Sequence, residues 1–60
     1  MDDTRYRFYA HVWTKADGHA DRRYLMNGPD VLTAQSRLLR KLAERDPEIL
    51  VHLKAVETVR

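Results

Sequence analysis

The stretch KADGHADRRY, residues 15–24, contains the residue types that most directly suggest chemistry. Asp17, His19 and Asp21 occupy every second position, and carboxylates and imidazoles are the usual ligands of divalent transition metals. The same stretch contains Asp17-Gly18, a pair that is typical of tight turns between strands. The string is therefore either a metal site or the corner of a hairpin, and the neighbouring elements decide between the two.

Few residues could take part in catalysis. A hydrolase or transferase needs a nucleophile, a base and a group that holds the base. Ser36 lies in a helical stretch with no histidine at helical spacing. His11 and His52 could share a sheet face with Asp21, but single histidines on a sheet more often contact solvent than a metal. The sequence contains no P-loop and no dinucleotide-binding glycine pattern. We expect no enzyme activity, no cofactor and no metal site.

Length and composition place the chain near the lower limit for independent folding. Sixty residues form one domain, 1–60, and the absence of cysteine excludes disulfide bonds and thiolate zinc sites. Oligomerisation is one of the remaining ways to stabilise so small a core. Eleven basic residues oppose nine acidic ones, and this net charge of +2 is too small to specify a polyanionic partner by itself.

No apolar run approaches the roughly 20 residues that span a bilayer. The first residues have neither the basic start nor the apolar stretch of a signal peptide. We therefore expect a cytoplasmic protein with no membrane partner.

Residues 4–15, TRYRFYAHVWTK, alternate with period two, which is typical of a strand with one buried face. The side that we expect in the core holds Tyr6, Phe8, Ala10, Val12 and Thr14. The other side holds Arg5, Arg7, Tyr9, His11, Trp13 and Lys15.

The parity of a second strand over 19–26 predicts the loop between the two strands. A two-residue loop, Asp17-Gly18, would bring the apolar side of the first strand beside Asp21 and Arg23. A three-residue loop, Ala16-Asp17-Gly18, keeps the apolar residues together and ends on a glycine that can adopt positive φ. The resulting register predicts the pairs Phe8–Met26, Ala10–Tyr24, Thr14–Ala20 and Val12–Arg22. Asp17 then becomes a turn residue. His19 and Asp21 lie opposite Lys15 and Trp13, where they form a polar border beside the aromatic residues. Both placements disfavour the metal interpretation.

A helix and a third strand follow. Asp30 is a plausible N-cap, with Thr33 as a rival, and helical spacing over 30–45 gives an apolar stripe. Asp46-Pro47 ends the helix, because the residue before proline is excluded from the α region. Residues 49–60 alternate again: Ile49, Val51, Leu53 and Ala55 on one side, Leu50, His52, Lys54 and Val56 on the other. The predicted fold is α+β, ββαβ, with strand order 2-1-3, the third strand antiparallel to the first, and the helix on one face.

The sheet face away from the helix is the candidate binding surface. In the predicted register Tyr9 lies beside Leu25, His11 beside Arg23 and Trp13 beside Asp21. The candidate binding residues are Arg7, Tyr9, His11, Trp13, Arg23, Leu25, His52 and Lys54.

Three interpretations of this face remain open. Tyr, Trp and Arg are enriched at protein interfaces, which favours a protein partner or a homodimer in an accessory or regulatory role. Basic sheets with aromatic residues also bind single-stranded nucleic acid, and Arg37, Arg40, Lys41 and Arg45 of the helix could add phosphate contacts. An ordinary solvent-exposed face is the third interpretation. We favour the protein interface.

Overall fold

The computed structural model describes residues 2–60 and has the predicted α+β arrangement. Strand β1 spans Thr4–Thr14, β2 Gly18–Gly28, helix α1 Val31–Arg45, and β3 Leu50–Val59. The three strands form one sheet in the order β2-β1-β3, and β1 is antiparallel to both neighbours. The ββαβ order, the central position of β1 and the single helix packed on the sheet are therefore confirmed.

The buried residues come mainly from the alternating side of β1 and the apolar stripe of α1. They are Tyr6, Phe8, Ala10, Val12, Ala34, Leu38 and Leu42. Phe8 and Val12 are the largest fully buried side chains, and burial of each contributes about 1.5–3 kcal/mol. The core therefore lies between β1 and the helix.

Local chemistry sets both ends of α1. Asp30 is the N-cap, because its Oδ1 accepts a hydrogen bond from the Thr33 backbone N–H at 2.7 Å. That contact decides against Thr33 as the cap, and the hydrogen bond lowers the pKa of the Asp30 carboxyl. At the other end the Asp46 backbone N–H donates to the Leu42 carbonyl at 2.9 Å, after which Pro47 prevents continuation.

The hairpin has the predicted loop length but a different register. Thr14 pairs with Gly18, so the three loop residues are Lys15, Ala16 and Asp17 instead of 16–18. The predicted pairs are therefore wrong by two residues: Phe8 pairs with Tyr24, Ala10 with Arg22, and Val12 with Ala20. Gly18 does have the positive φ that was expected, at 70°, but as the first residue of β2. A shift by two preserves which side each residue faces.

A β-bulge in β3 changes the faces predicted for the end of that strand. Tyr9 pairs with Ala55 whereas Ala10 pairs with Leu53, so Lys54 is the inserted residue. Because the bulge reverses the alternation, Ala55 shares the side of Tyr9, and Val56 lies beside Phe8 on the helix side. The opposite sides predicted for Ala55 and Val56 are wrong.

The helix backbone approaches β2 more closely than it approaches the other two strands, while its buried side chains reach over β1. Gly28, at the end of β2, lies so close to the helix that a Cβ there would be 2.8 Å from the Ala34 backbone nitrogen. The Arg37 guanidinium donates to the Asn27 carbonyl at 3.1 Å and holds the next turn over the same strand. No residue of β3 is fully buried.

Candidate interaction surface on the open sheet face

The side of the sheet that faces away from α1 is called the open face below. All eight candidate binding residues lie on it. The register places Arg7 between Leu25 and Glu57, Tyr9 between Arg23 and Ala55, and His11 between Asp21 and His52, while Trp13 lies between His19 and Leu50. Lys54, at the bulge, reaches the same side, with its Nζ 3.8 Å from Asp21 Oδ1.

The predicted neighbours on the open face differ from the observed ones. Tyr9 lies beside Arg23 instead of Leu25, His11 beside Asp21 instead of Arg23, and Trp13 beside His19 instead of Asp21. The shift follows from the position of the hairpin loop. The role of these residues in binding remains a prediction.

Glu57 is the residue of this face that the sequence analysis missed. Its Oε1 accepts hydrogen bonds from Arg7 Nη1 at 2.6 Å and from the Tyr9 hydroxyl at 2.7 Å. The Tyr9 hydrogen bond, followed by that from Arg7, lowers the pKa of the Glu57 carboxyl. The Arg7 guanidinium has a raised pKa because of its bond to Glu57. Strict alternation through residue 54 places Glu57 on the opposite side, so only the bulge reveals it.

A second polar cluster centres on His11. His11 Nδ1 lies 3.0 Å from Asp21 Oδ1, and His11 Nε2 lies 3.2 Å from His19 Nδ1. The hydrogen bond to His11, with the nearby charge of Lys54, lowers the pKa of the Asp21 carboxyl. The His11 ring uses both of its nitrogens, one towards Asp21 and one towards His19, so the three side chains are joined by consecutive hydrogen bonds.

The described residues, 2–60, contain no group of three or more histidine, cysteine, aspartate or glutamate side chains arranged to hold a metal ion. Asp17 lies in the loop, where its carboxylate is 3.6 Å from Arg22 Nη2 and its backbone N–H donates to Thr14 Oγ1 at 3.0 Å. The Asp17 side chain is therefore used in the turn, in agreement with the hairpin interpretation of KADGHADRRY.

Apolar side chains occupy the two ends of the open face. Leu50 is 66% exposed and pairs with the half-buried Trp13 at one end. Leu25 is 52% exposed and pairs with Arg7 towards the other end. The charged clusters lie between these ends, so the face alternates apolar and hydrogen-bonded polar patches.

Most charges in the middle of the open face are compensated. Arg7 is paired with Glu57, and Lys54 is close to Asp21. Arg5 and Arg23 form no ion pair with any residue in the described part of the chain, although Arg5 donates to the Asn27 side chain at 3.3 Å. The face therefore presents two uncompensated arginines instead of a continuous basic surface.

No protein-family model, curated protein or solved structure matches this chain. Function is accordingly inferred from the residues of the chain itself. Within residues 2–60, no helix combines the length and the apolar character that crossing a bilayer requires.

Proposed function

We propose that this chain is a protein-binding module that acts by association and not by catalysis, and that its open face is the surface a partner protein contacts. The observation that carries the proposal is the pairing of exposed Leu50 with Trp13 beside internally compensated charges. An exposed leucine beside a tryptophan offers an anchor for a partner protein, because Trp, Tyr and Arg are the residues most enriched among interface hot spots.

The arrangement of Arg7, Tyr9 and Glu57 supports a protein partner over nucleic acid. Phosphate contacts need free cations. Here the Glu57 carboxylate accepts hydrogen bonds from both the Arg7 guanidinium and the Tyr9 hydroxyl, so Arg7 is not a free cation. The same carboxylate would repel a phosphate chain that followed the middle of the face.

Nucleic-acid binding remains the second candidate because two arginines of the open face, Arg5 and Arg23, form no ion pair with any of residues 2–60. It predicts affinity that falls steeply with salt, since each phosphate contact releases counterions. Fluorescence anisotropy with mixed single-stranded DNA and RNA in about 50 mM salt tests it, where such contacts are strong. We expect no saturable binding, and submicromolar binding that is lost in Trp13→Ala would favour nucleic acid instead.

The protein-binding proposal is tested with Leu50→Lys and a matched control, Leu32→Lys, which alters an exposed leucine of similar accessibility on the helix. Proteins captured by the wild type from an extract are identified by mass spectrometry, and each is then purified and its Kd measured directly. We expect a partner whose Kd rises at least about tenfold with Leu50→Lys and Trp13→Ala and changes little with Leu32→Lys. Partners that bind all variants equally would contradict the use of the open face.

The chain is also proposed to form a homodimer. The core includes no fully buried residue of β3, and a chain of this size buries only about 60% of the surface of its unfolded form. Self-association is a common way to add buried surface to such a domain.

A further inference from the structure

The outer edge of β3 is unpaired along the whole strand. β3 borders the sheet, contacts β1 on one side only, and spans ten residues from Leu50 to Val59. A long edge strand presents a row of backbone N–H and C=O groups that can pair with another strand. Proteins usually protect such an edge with charges, proline, β-bulges or a covering element, and in β3 this protection is confined to the bulge at Lys54, with residues on both sides of it left free to pair.

The helix-facing side of β3 is also incompletely covered. Val51, Leu53 and Val56 lie beside Val12, Ala10 and Phe8 of the core strand. Val51 and Leu53 are half-buried, and Val56 remains 42% exposed because the helix backbone lies nearest β2, at the far side of the sheet. An apolar row therefore follows the unpaired edge.

The flank of α1 that is turned away from β2 carries two leucines. Arg37 contacts Asn27 and so identifies the flank that lies over β2. Leu32 and Leu39 are seven residues apart, on the opposite flank of the helix, and so are directed towards the β3 side. Leu39 is half-buried, whereas Leu32 is 75% exposed.

The two edges of the sheet differ in ways that favour β3 for pairing. β2 carries three consecutive charged residues, Asp21 to Arg23, in the middle of its length, and Arg37 occupies the Asn27 carbonyl near its end. β3 carries one lysine and one glutamate among mostly apolar residues, so its formal charge is zero. Two copies of β3 can approach without net repulsion, whereas two copies of β2 each bring a net positive charge.

We propose that β3 is the homodimer interface, in which β3 pairs antiparallel with β3 of a second copy and joins the two sheets into one of six strands. Antiparallel pairing of a strand with its own copy requires a two-fold axis perpendicular to the sheet. That axis places both helices on the same side of the joined sheet, about 24 Å apart, because five strand spacings separate β2 of one copy from β2 of the other. Val56 of each copy is then covered by the other.

A second copy is the occupant that this surface fits best, because each part of the surface complements itself under the two-fold axis. The unpaired edge supplies backbone donors and acceptors to an identical edge, and the apolar row of Val51, Leu53 and Val56 lies beside an identical row. The open face lies on the other side of the sheet, so a dimer leaves it accessible. The inference rests on the self-association proposed above and assigns it to one surface.

The test compares three single substitutions of exposed apolar residues. Val56→Lys lies on the proposed interface, and Leu25→Lys, on the open face of β2, and Leu32→Lys, on the helix, are controls that alter exposed leucines away from it. Circular dichroism checks that each variant folds. Sedimentation equilibrium over about 1 μM to 1 mM measures the dimer Kd, and hydrogen exchange follows the backbone amides of β3.

We expect a wild-type dimer whose Kd rises at least about tenfold with Val56→Lys, since the substitution occurs twice in the dimer, and changes less than about threefold with Leu32→Lys. Leu25→Lys should change the Kd less than about threefold, and β3 amides should lose protection on dilution. A dimer that is weakened by Leu25→Lys and not by Val56→Lys would overturn the β3 interface while leaving homodimerisation intact. A wild type that is monomeric at every concentration would overturn both, without bearing on partner binding by the open face.

Discussion

The close approach of Gly28 to α1 determines where the helix begins over β2, and its substitution by alanine tests that geometry. An added Cβ would lie 2.8 Å from the Ala34 nitrogen, 3.0 Å from its Cβ and 3.1 Å from its Cα. Two of these atoms belong to the helix backbone, so a rotamer change cannot relieve the contact. Either the end of β2 or the first turns of α1 must move.

The expected magnitude follows from two opposing contributions. Overpacking of this kind destabilises by about 1–3 kcal/mol. Alanine also restricts the unfolded chain, which stabilises by about 0.4–1 kcal/mol where the native φ is permitted, as it is at Gly28. The centres of these ranges, about 2 and about 0.7 kcal/mol, leave a net cost of about 1.3 kcal/mol for Gly28→Ala, a decrease in Tm of several degrees for a domain of this size.

A double-mutant cycle separates the proposed contact from a general effect of removing glycine. Ala34→Gly removes the 3.0 Å contact but keeps the backbone atoms, so it should relieve part of the cost of Gly28→Ala. Gly18→Ala is the control: Gly18 has a φ of 70° and nothing within 4 Å of an added Cβ, so its cost of about 1–2 kcal/mol should be additive with Ala34→Gly. Urea unfolding measures each variant. A neutral or stabilising Gly28→Ala, or no coupling to Ala34, would refute the described seating of the helix.

Three further predictions concern the core, the helix cap and pH. Phe8→Ala should destabilise by about 3–5 kcal/mol, comparable with the whole stability of a small domain, so we expect loss of the cooperative unfolding transition in a thermal melt. Asp30→Ala should lower the Tm by a few degrees, whereas Asp30→Asn, which retains an acceptor for the Thr33 N–H, should lower it less. The pKa values of Asp21 and Glu57 are lowered in the folded state, so their contribution to stability is present above their ordinary pKa values, near pH 4, and is lost as the pH falls through the lowered values. A urea midpoint that stays constant from pH 7 to about pH 2, or that falls equally in Glu57→Gln, would contradict this role of the carboxylates.

The alternation of β1 was sufficient to predict the two faces of that strand. Phe8 and Val12 are buried, and Tyr9 and Trp13 lie on the open face, as period two requires. The length of the hairpin loop was also predictable, because only an odd loop keeps the apolar sides together. The position of the loop was not predictable. Moving a three-residue loop from 16–18 to 15–17 keeps the same side chains on each face and changes the strand pairing by only two residues.

The bulge at Lys54 was not predictable from composition. Residues 49–56 alternate without interruption, and nothing in the sequence marks an inserted residue before Ala55. The bulge depends on how β3 pairs with β1, a contact between residues more than forty positions apart. Its consequence is large for function, because it brings Glu57 onto the open face beside Arg7 and Tyr9.

The two proposed surfaces differ in chemistry in a way that matches two kinds of association. The β3 side combines unpaired backbone with a continuous apolar row, and interfaces of permanent dimers resemble a core in this respect. The open face intersperses leucines with ion pairs and histidines, as interfaces that form and dissociate do. A chain with one helix over three strands can protect only one side of its sheet, and because α1 is seated at Gly28 over β2, the part that remains for a second copy to cover is β3.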